Sequence, residues 1–200
     1  QQCGPAQTSD KNTAQPLQVL VDWANAQTNA PVEPIQQLLT QLPTLQATRL
    51  LPGPTGERNL YTLTGKPRTL CLAQSKATLL QQLAGALASG SQAIWVNTAI
   101  STDLFASLPT ELRAHIELLA HGLPLPDIAQ NTAMDNALLE CDDAQFLQWS
   151  QALAQRSGPL VLPVRCHADQ PLRLERLWHE RALSHNTAAA GGNAALMTLE

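Results

Sequence analysis

Three consecutive segments decide what this chain can become. "RTLCLA" (68–73) is a short apolar run behind the turn signal Gly65-Lys66-Pro67. "SKATLLQQLAGALASG" (75–90) repeats leucines at helical spacing between a Ser75 N-cap and a Gly90 stop, and "QAIWV" (92–96) is a second buried-strand run. Two parallel strands cannot be joined by a tight turn, so strand, helix and strand at these lengths close as a parallel crossover unit. The order recurs: "NALLEC" (136–141) is strand-like, "DDAQFLQWSQALAQRSG" (142–158) is a helix capped by Asp142 or Asp143 and ended by Gly158, and "PLVLPV" (159–164) is strand-like again. Between the two units, "PTELRAHIELLAHG" (109–122) reads as a helix with Leu112, Ile116 and Leu119 on one face. The fold class expected is α/β, a Rossmann-like doubly wound sheet.

Outside this alternation the pattern changes. Residues 1–15 are polar and aperiodic, as a linker would be. From Pro16, Leu17, Leu20, Val21 and Ala24 share a helical face. After the Pro31–Pro34 break Ile35, Leu38, Leu39 and Leu42 do the same. In "LPGPTGERNLYTL" (51–63) the glycines and proline mark a turn and "NLYTL" a strand. "PLRLERLWHERALSHNTAAAGGN" (171–193) leaves the alternation, which predicts a β-hairpin and tail extension. The expected organisation is a linker at 1–15, an α/β domain at 16–171 and a docking extension at 172–200. The chain opens Gln1-Gln2-Cys3 and has methionine only at 134 and 197, so the expectation is a piece of a longer polypeptide.

Composition narrows the function classes. Only 14% of residues are charged, the formal net charge is -4 and aromatics are 4%, which offers neither a basic stripe for phosphates nor a stacking platform for bases. Nucleic-acid binding by this segment is not expected. No apolar run approaches a membrane span, and the mean hydropathy of -0.12 is that of a water-soluble fold. The four cysteines are scattered without a Cys-x-x-Cys pair, as reduced thiols of a cytoplasmic protein would be.

Candidate chemistry is sparse. A dinucleotide needs glycine in the loop after the first strand, and that loop is "QSKAT". Asp142 and Asp143 begin the second helix, where carboxylates favour the helix dipole and oppose a pyrophosphate. "GPTGERN" lacks the Gly-Lys-Ser/Thr ending of a phosphate loop. His179 and His185 are six residues apart, which does not place two zinc ligands on one helical face. Cys166 and His167 are adjacent in an extended segment and point oppositely, so a buried thiol beside a surface imidazole is expected. His115 and His121 bracket a helix end and read as surface residues or C-terminal dipole partners. Of the four tryptophans, Trp23, Trp95 and Trp149 are assigned to the core. Trp178, among Glu175, Arg176, Glu180 and Arg181, is assigned to a solvated or partner-facing surface. No catalytic, cofactor-binding or metal-binding residue is assigned.

Two stretches, "LERLWHERALSHNTAAAGGNAALMTLE" (174–200) and "LPGPTGERNLYTL", closely resemble the end of long-form proline utilization A, a family of bifunctional proline-catabolising flavoenzymes. The resemblance implies a parent with an FAD-dependent proline dehydrogenase and an NAD-dependent glutamate-semialdehyde dehydrogenase. It further implies a C-terminal domain similar to the NAD-binding domain of aldehyde dehydrogenases. That domain would act as a noncatalytic lid over the dehydrogenase region and the tunnel between the two sites, with no cofactor of its own. Where aldehyde dehydrogenases carry a Gly-Ser loop this chain has Cys141-Asp142-Asp143. Where they carry Lys-Pro it has Val96-Asn97, and in place of the Gly-Gly motif of the general base it has Arg165-Cys166-His167-Ala168. His185 stands where the family pattern suggests an apolar residue. The implied partner is the glutamate-semialdehyde dehydrogenase domain of the same polypeptide, in a cytoplasmic enzyme that is at most peripheral at the inner membrane. A residual nucleotide sensor and a homodimerising scaffold are the alternatives.

Docking is assigned to Arg176, Glu180, Asn186, Thr187, Ala188, Gly191, Gly192, Asn193, Leu196 and Met197. Ordering about 14 tail residues costs roughly 1–2 kcal/mol each, against about 1.5–3 kcal/mol returned by each of Leu196, Met197 and Leu199. Apolar burial alone loses, so the tail is expected to dock as an added strand, its small residues letting a neighbouring backbone approach.

Overall fold

The computed structural model describes residues 14–28 and 30–186. Five parallel strands form the main sheet in the order β5-β4-β3-β6-β7. Chain order runs outward from the centre. β3 (Arg68–Leu72) is followed by helix α3 (Lys76–Ser89), β4 (Gln92–Val96), helices α4 (Ala99–Ser107) and α5 (Thr110–Arg113), and the edge strand β5 (Ile116–Leu119). The chain then crosses back through α6 (Leu125–Asn131) to β6 (Asn136–Leu139) on the other flank of β3, and continues through α7 (Asp143–Ala154) to β7 (Pro163–Arg165). This is the doubly wound arrangement, and its direction reverses between β3 and β6.

Each face of the sheet has its own core. On one, Cys71, Trp95 and Leu138 meet α3 and the helical pair α1 (Ala14–Asn25) and α2 (Val32–Gln46). On the other, Leu70, Ile94 and Leu139 meet Ile128 of α6 and Trp149 and Leu153 of α7. Alternate residues of one strand feed opposite cores, as the strand period of two requires. α3 is buried at every position from Thr78 to Ser89, because the sheet lies beneath it while α1, α2 and the segment at Leu172–Leu177 cover it. A helix with no charge beyond its first residue has no face for water.

A second sheet, β1 (Arg49–Leu51), β2 (Glu57–Gly65) and β8 (Trp178–Asn186), is antiparallel. It joins the first at β2's last residue, where the carbonyl of Ser89 occupies the place a β-carbon on Gly65 would need. Lys66 N–H donates to Leu177 O at 3.1 Å. The Lys66 ammonium donates to Oδ1 of buried Asn136 at 2.8 Å, and burial lowers its pKa from the usual lysine value against the pull of Asp135.

The Ser75 cap, the Gly90 stop in left-handed conformation and the apolar faces of α1 and α2 match expectation, although α1 begins at Ala14, before Pro16. Several expectations do not hold. The helix over 109–122 is only α5, and Ile116–Leu119 forms β5, since "IELL" fits either period and the open hydrogen-bonding edge of β4 decides. His115 and His121 therefore bracket a strand, and His121 Nδ1 lies 2.9 Å from the carbonyl of Asn97. α7 stops at Ala154, four residues ahead of Gly158, and only Pro163 and Val164 of "PLVLPV" join β7, leaving Leu160 and Leu162 exposed. Trp178 is buried at the junction of the two sheets, while Trp23 is half-buried and donates its indole N–H to Ser107 O at 3.2 Å.

Candidate functional site

In an open α/β sheet, ligands bind beyond the carboxyl ends of the strands where the winding reverses. Here that place lies between the loop after β3, Ala73-Gln74-Ser75, and the loop after β6, Glu140-Cys141-Asp142. The N-terminus of α3 opens onto it, with Ser75 capping the helix by accepting from Thr78 N–H at 3.1 Å.

The chain supplies its own anion. Glu140 Oε2 accepts from the backbone N–H of Gln74 at 2.6 Å and of Ser75 at 2.9 Å. Glu140 Oε1 accepts from the Thr78 hydroxyl at 2.7 Å and lies 3.2 Å from Ser75 Oγ. Helix N-termini attract anions through unpaired N–H groups and the helix dipole, and this carboxylate sits at that end on the N–H groups of the N-cap Ser75 and of Gln74 before it. β6 holds it there through Glu140 N–H donating to Leu72 O at 2.8 Å.

The segment after β7 covers the same turn of α3. Cys166 N–H donates to Leu139 O at 3.0 Å, Ala168 N–H to Thr78 Oγ1 at 3.2 Å, and Gln81 Nε2 to Gln170 O at 2.7 Å. Cys166 lies buried beneath, its sulfur 3.5 Å from Gln81 Oε1, while His167 stays half-buried. Burial, with the Glu140 charge adding to it, pushes the Cys166 thiol up to about 12. Burial also raises Cys71 and Cys141, the latter despite Arg165. These thiols are not poised as nucleophiles, since the thiolate is the reactive form. In the folded chain Cys166 is expected to react with iodoacetamide at pH 8 on the order of 10³-fold more slowly than in urea, the ratio of thiolate fractions for an ordinary and a raised thiol. Peptide mapping after timed labelling checks this, and equal rates would contradict it.

The neighbouring polar residues serve as caps. Asp142 accepts from Gln145 N–H at 2.8 Å in a reciprocal capping box at the start of α7. Asp143 pairs with Arg165 at 2.5 Å, whose guanidinium lies 4.6 Å from the centre of the Phe146 ring. Asn97 Oδ1 accepts from the Thr102 hydroxyl at 2.7 Å, and Thr98 and Ser101 box the start of α4. A pyrophosphate at this turn would meet the Glu140 carboxylate, which already takes the Gln74 and Ser75 N–H groups. Among the described residues no three of His, Cys, Asp or Glu group as metal ligands, and no helix is long and apolar enough to cross a membrane.

The assigned docking residues are scattered. Arg176 is exposed in the 3₁₀ turn Leu174–Leu177 at the root of β8, and Asn186 pairs with Glu57 at its far end. Glu180 stands opposite Leu63, and burial together with its hydrogen bond raises the Tyr61 pKa. Thr187, Ala188, Gly191, Gly192, Asn193, Leu196 and Met197 lie outside the described residues. Glu140 went unnoticed in the sequence. Its signal was an acid one residue past a strand, facing a Ser-x-x-Thr loop that lacks glycine.

No family model matches the chain. It is 40% identical over 192 residues to the bifunctional protein PutA of Escherichia coli K12, which covers 92% of this chain and 14% of that protein. A crystal structure of a mutant Bradyrhizobium japonicum proline utilization A superposes with a TM-score of 0.64 at 15% identity, over 79% of this chain and 20% of that one. Substrate-bound AldH of Staphylococcus aureus superposes at 0.58 with 13% identity, over 78% and 42% of the two chains. At such identities the superpositions speak to fold, and the fold they share is the Rossmann-like α/β unit of aldehyde dehydrogenases. By its sequence the chain is similar to a segment of the bifunctional PutA proteins and spans 14% of the curated relative's length.

Proposed function

We propose that this segment is a noncatalytic lid and assembly domain of a cytoplasmic enzyme that oxidises proline to glutamate using FAD and NAD bound elsewhere in the polypeptide. It covers the glutamate-semialdehyde dehydrogenase region and the tunnel that carries the intermediate between the two active sites. The observation that carries this reading is the Glu140 carboxylate at the α3 N-terminus, where a nucleotide fold would present its donors to phosphate. A domain that keeps the sheet of a dehydrogenase and fills that place with its own side chain retains shape without a cofactor. Docking falls to Arg176, Glu180 and the run from Asn186 to Met197.

Calorimetric titration of the chain with NAD is expected to show no saturable heat up to millimolar ligand. Binding at that level would favour a nucleotide sensor instead. In the whole polypeptide, deleting residues 186–200 is expected to lengthen the lag before NADH appears in the coupled proline-to-glutamate assay. An unchanged lag would remove the lid from consideration.

A further inference from the structure

The crossover from β5 to β6 lays one short helix, α6 of seven residues, on the face of the sheet from which Glu117 and Leu119 emerge. A helix of that length rises only about 10 Å, and beside it an open cleft of about 500 Å³ remains against β5. That volume is typical of small-molecule sites. The cleft has an apolar wall, where Leu119 is half-buried and Leu123 is 37% exposed. At its other side the Arg68 guanidinium is already engaged, donating to Glu117 Oε2 at 2.6 Å and to Ala133 O at 2.6 Å. Asp127 and Asn131 line it from α6, four residues apart and therefore on one helical face. Neither of these two side chains has a hydrogen-bond or ion-pair partner among the described residues. With Arg68 and Glu117 cancelling, the cleft keeps the charge of one carboxylate.

We propose that this cleft binds a small organic cation, a primary ammonium on an apolar or aromatic body. The groups present select that class. An anion would face Asp127 and would have to displace Glu117 to reach Arg68. A bare metal ion asks for several oxygen ligands at once, and among the described residues no three of His, Cys, Asp or Glu group together. A purely apolar ligand would strip water from the Asp127 carboxylate and return no hydrogen bond. An ammonium has three donors, enough for the Asp127 carboxylate and Asn131 Oδ1 together, while its body covers Leu119 and Leu123. The cleft stands apart from Glu140 at the reversal point, and nothing in it depends on the lid.

The test uses the intact polypeptide that carries this chain and a photoreactive pair, para-(aminomethyl)benzophenone and its anionic counterpart para-carboxybenzophenone. After irradiation, peptide mass spectrometry is expected to find the amine attached within residues 117–133, with half-saturation at about 1 mM or below. The carboxylate is expected to attach there about tenfold less, and phenethylamine to compete where hydrocinnamate does not. Asp127→Asn keeps the shape of the side chain and is expected to reduce attachment of the amine about tenfold. Glu111→Gln, which removes an exposed acid outside the cleft, is expected to leave it unchanged. Attachment that rises without saturating, equal attachment of the two probes, or no attachment within 117–133 would overturn the proposal. So would an Asp127→Asn variant that labels like the parent, or an equal loss in both variants. If Asp127→Asn loosens α6, seen as faster hydrogen exchange there, the contrast between the two probes on the parent protein decides.

Discussion

Glu140→Ala is expected to lower the stability of the fold by about 3 kcal/mol. The carboxylate accepts from two backbone N–H groups and from the Thr78 hydroxyl, and it ties the loop after β3 to the end of β6. Hydrogen bonds to a charged group contribute about 1.5–3 kcal/mol each, but this site is half-buried, so water recovers part of what the substitution removes. Urea denaturation measures the loss as a lower midpoint at constant slope. A loss under about 0.5 kcal/mol would mean the loop donors find other partners. Because the vacated place is an anion site by construction, tens of millimolar phosphate should restore part of the stability in the alanine variant and do little for the parent. Rescue of both proteins alike would indicate a general salt effect.

Trp178→Ala is expected to cost about 3–5 kcal/mol, the range for emptying a buried aromatic site. Trp178 is only 7% exposed and opens β8 where that strand leaves the core, cross-strand from Gly65. Losing it should uncouple the second sheet before it unfolds the first, so hydrogen exchange in β8 should accelerate more than in β4. Trp178→Phe is expected to cost far less, about 1 kcal/mol, because the buried indole N–H has no hydrogen-bond partner among the described residues and its removal gives up no bond. Equal losses for the alanine and phenylalanine variants would show that the indole nitrogen matters after all.

The two variants fall on opposite sides of what a sequence makes visible. Ser75, Gly90 and Asp142 were legible as caps because a cap is a local event, settled by hydrogen bonds within three or four residues. The faces of α1 and α2 were legible for the same reason. β5 was not, because "IELL" suits two periods and only its neighbour β4, more than a helix away in sequence, offers the unpaired carbonyls and amides that choose between them. Glu140 was invisible as a ligand of α3 because its partners lie 62 to 66 residues away. Trp178 was misjudged because the charges on either side of it belong to the exposed residues of a 3₁₀ turn and a strand, while its own side chain turns inward where the two meet.

What the residues alone determined here is most of the alternation of helix and strand, the caps at Ser75, Gly90 and Asp142 and hence the α/β class, all governed by short-range sterics, capping and periodic burial. Tertiary structure decided the strand order, the carboxylate at the reversal point and the junction between the two sheets. Those depend on which hydrogen-bonding edges and cavities meet in space, and contacts between distant segments leave no periodic trace along the chain.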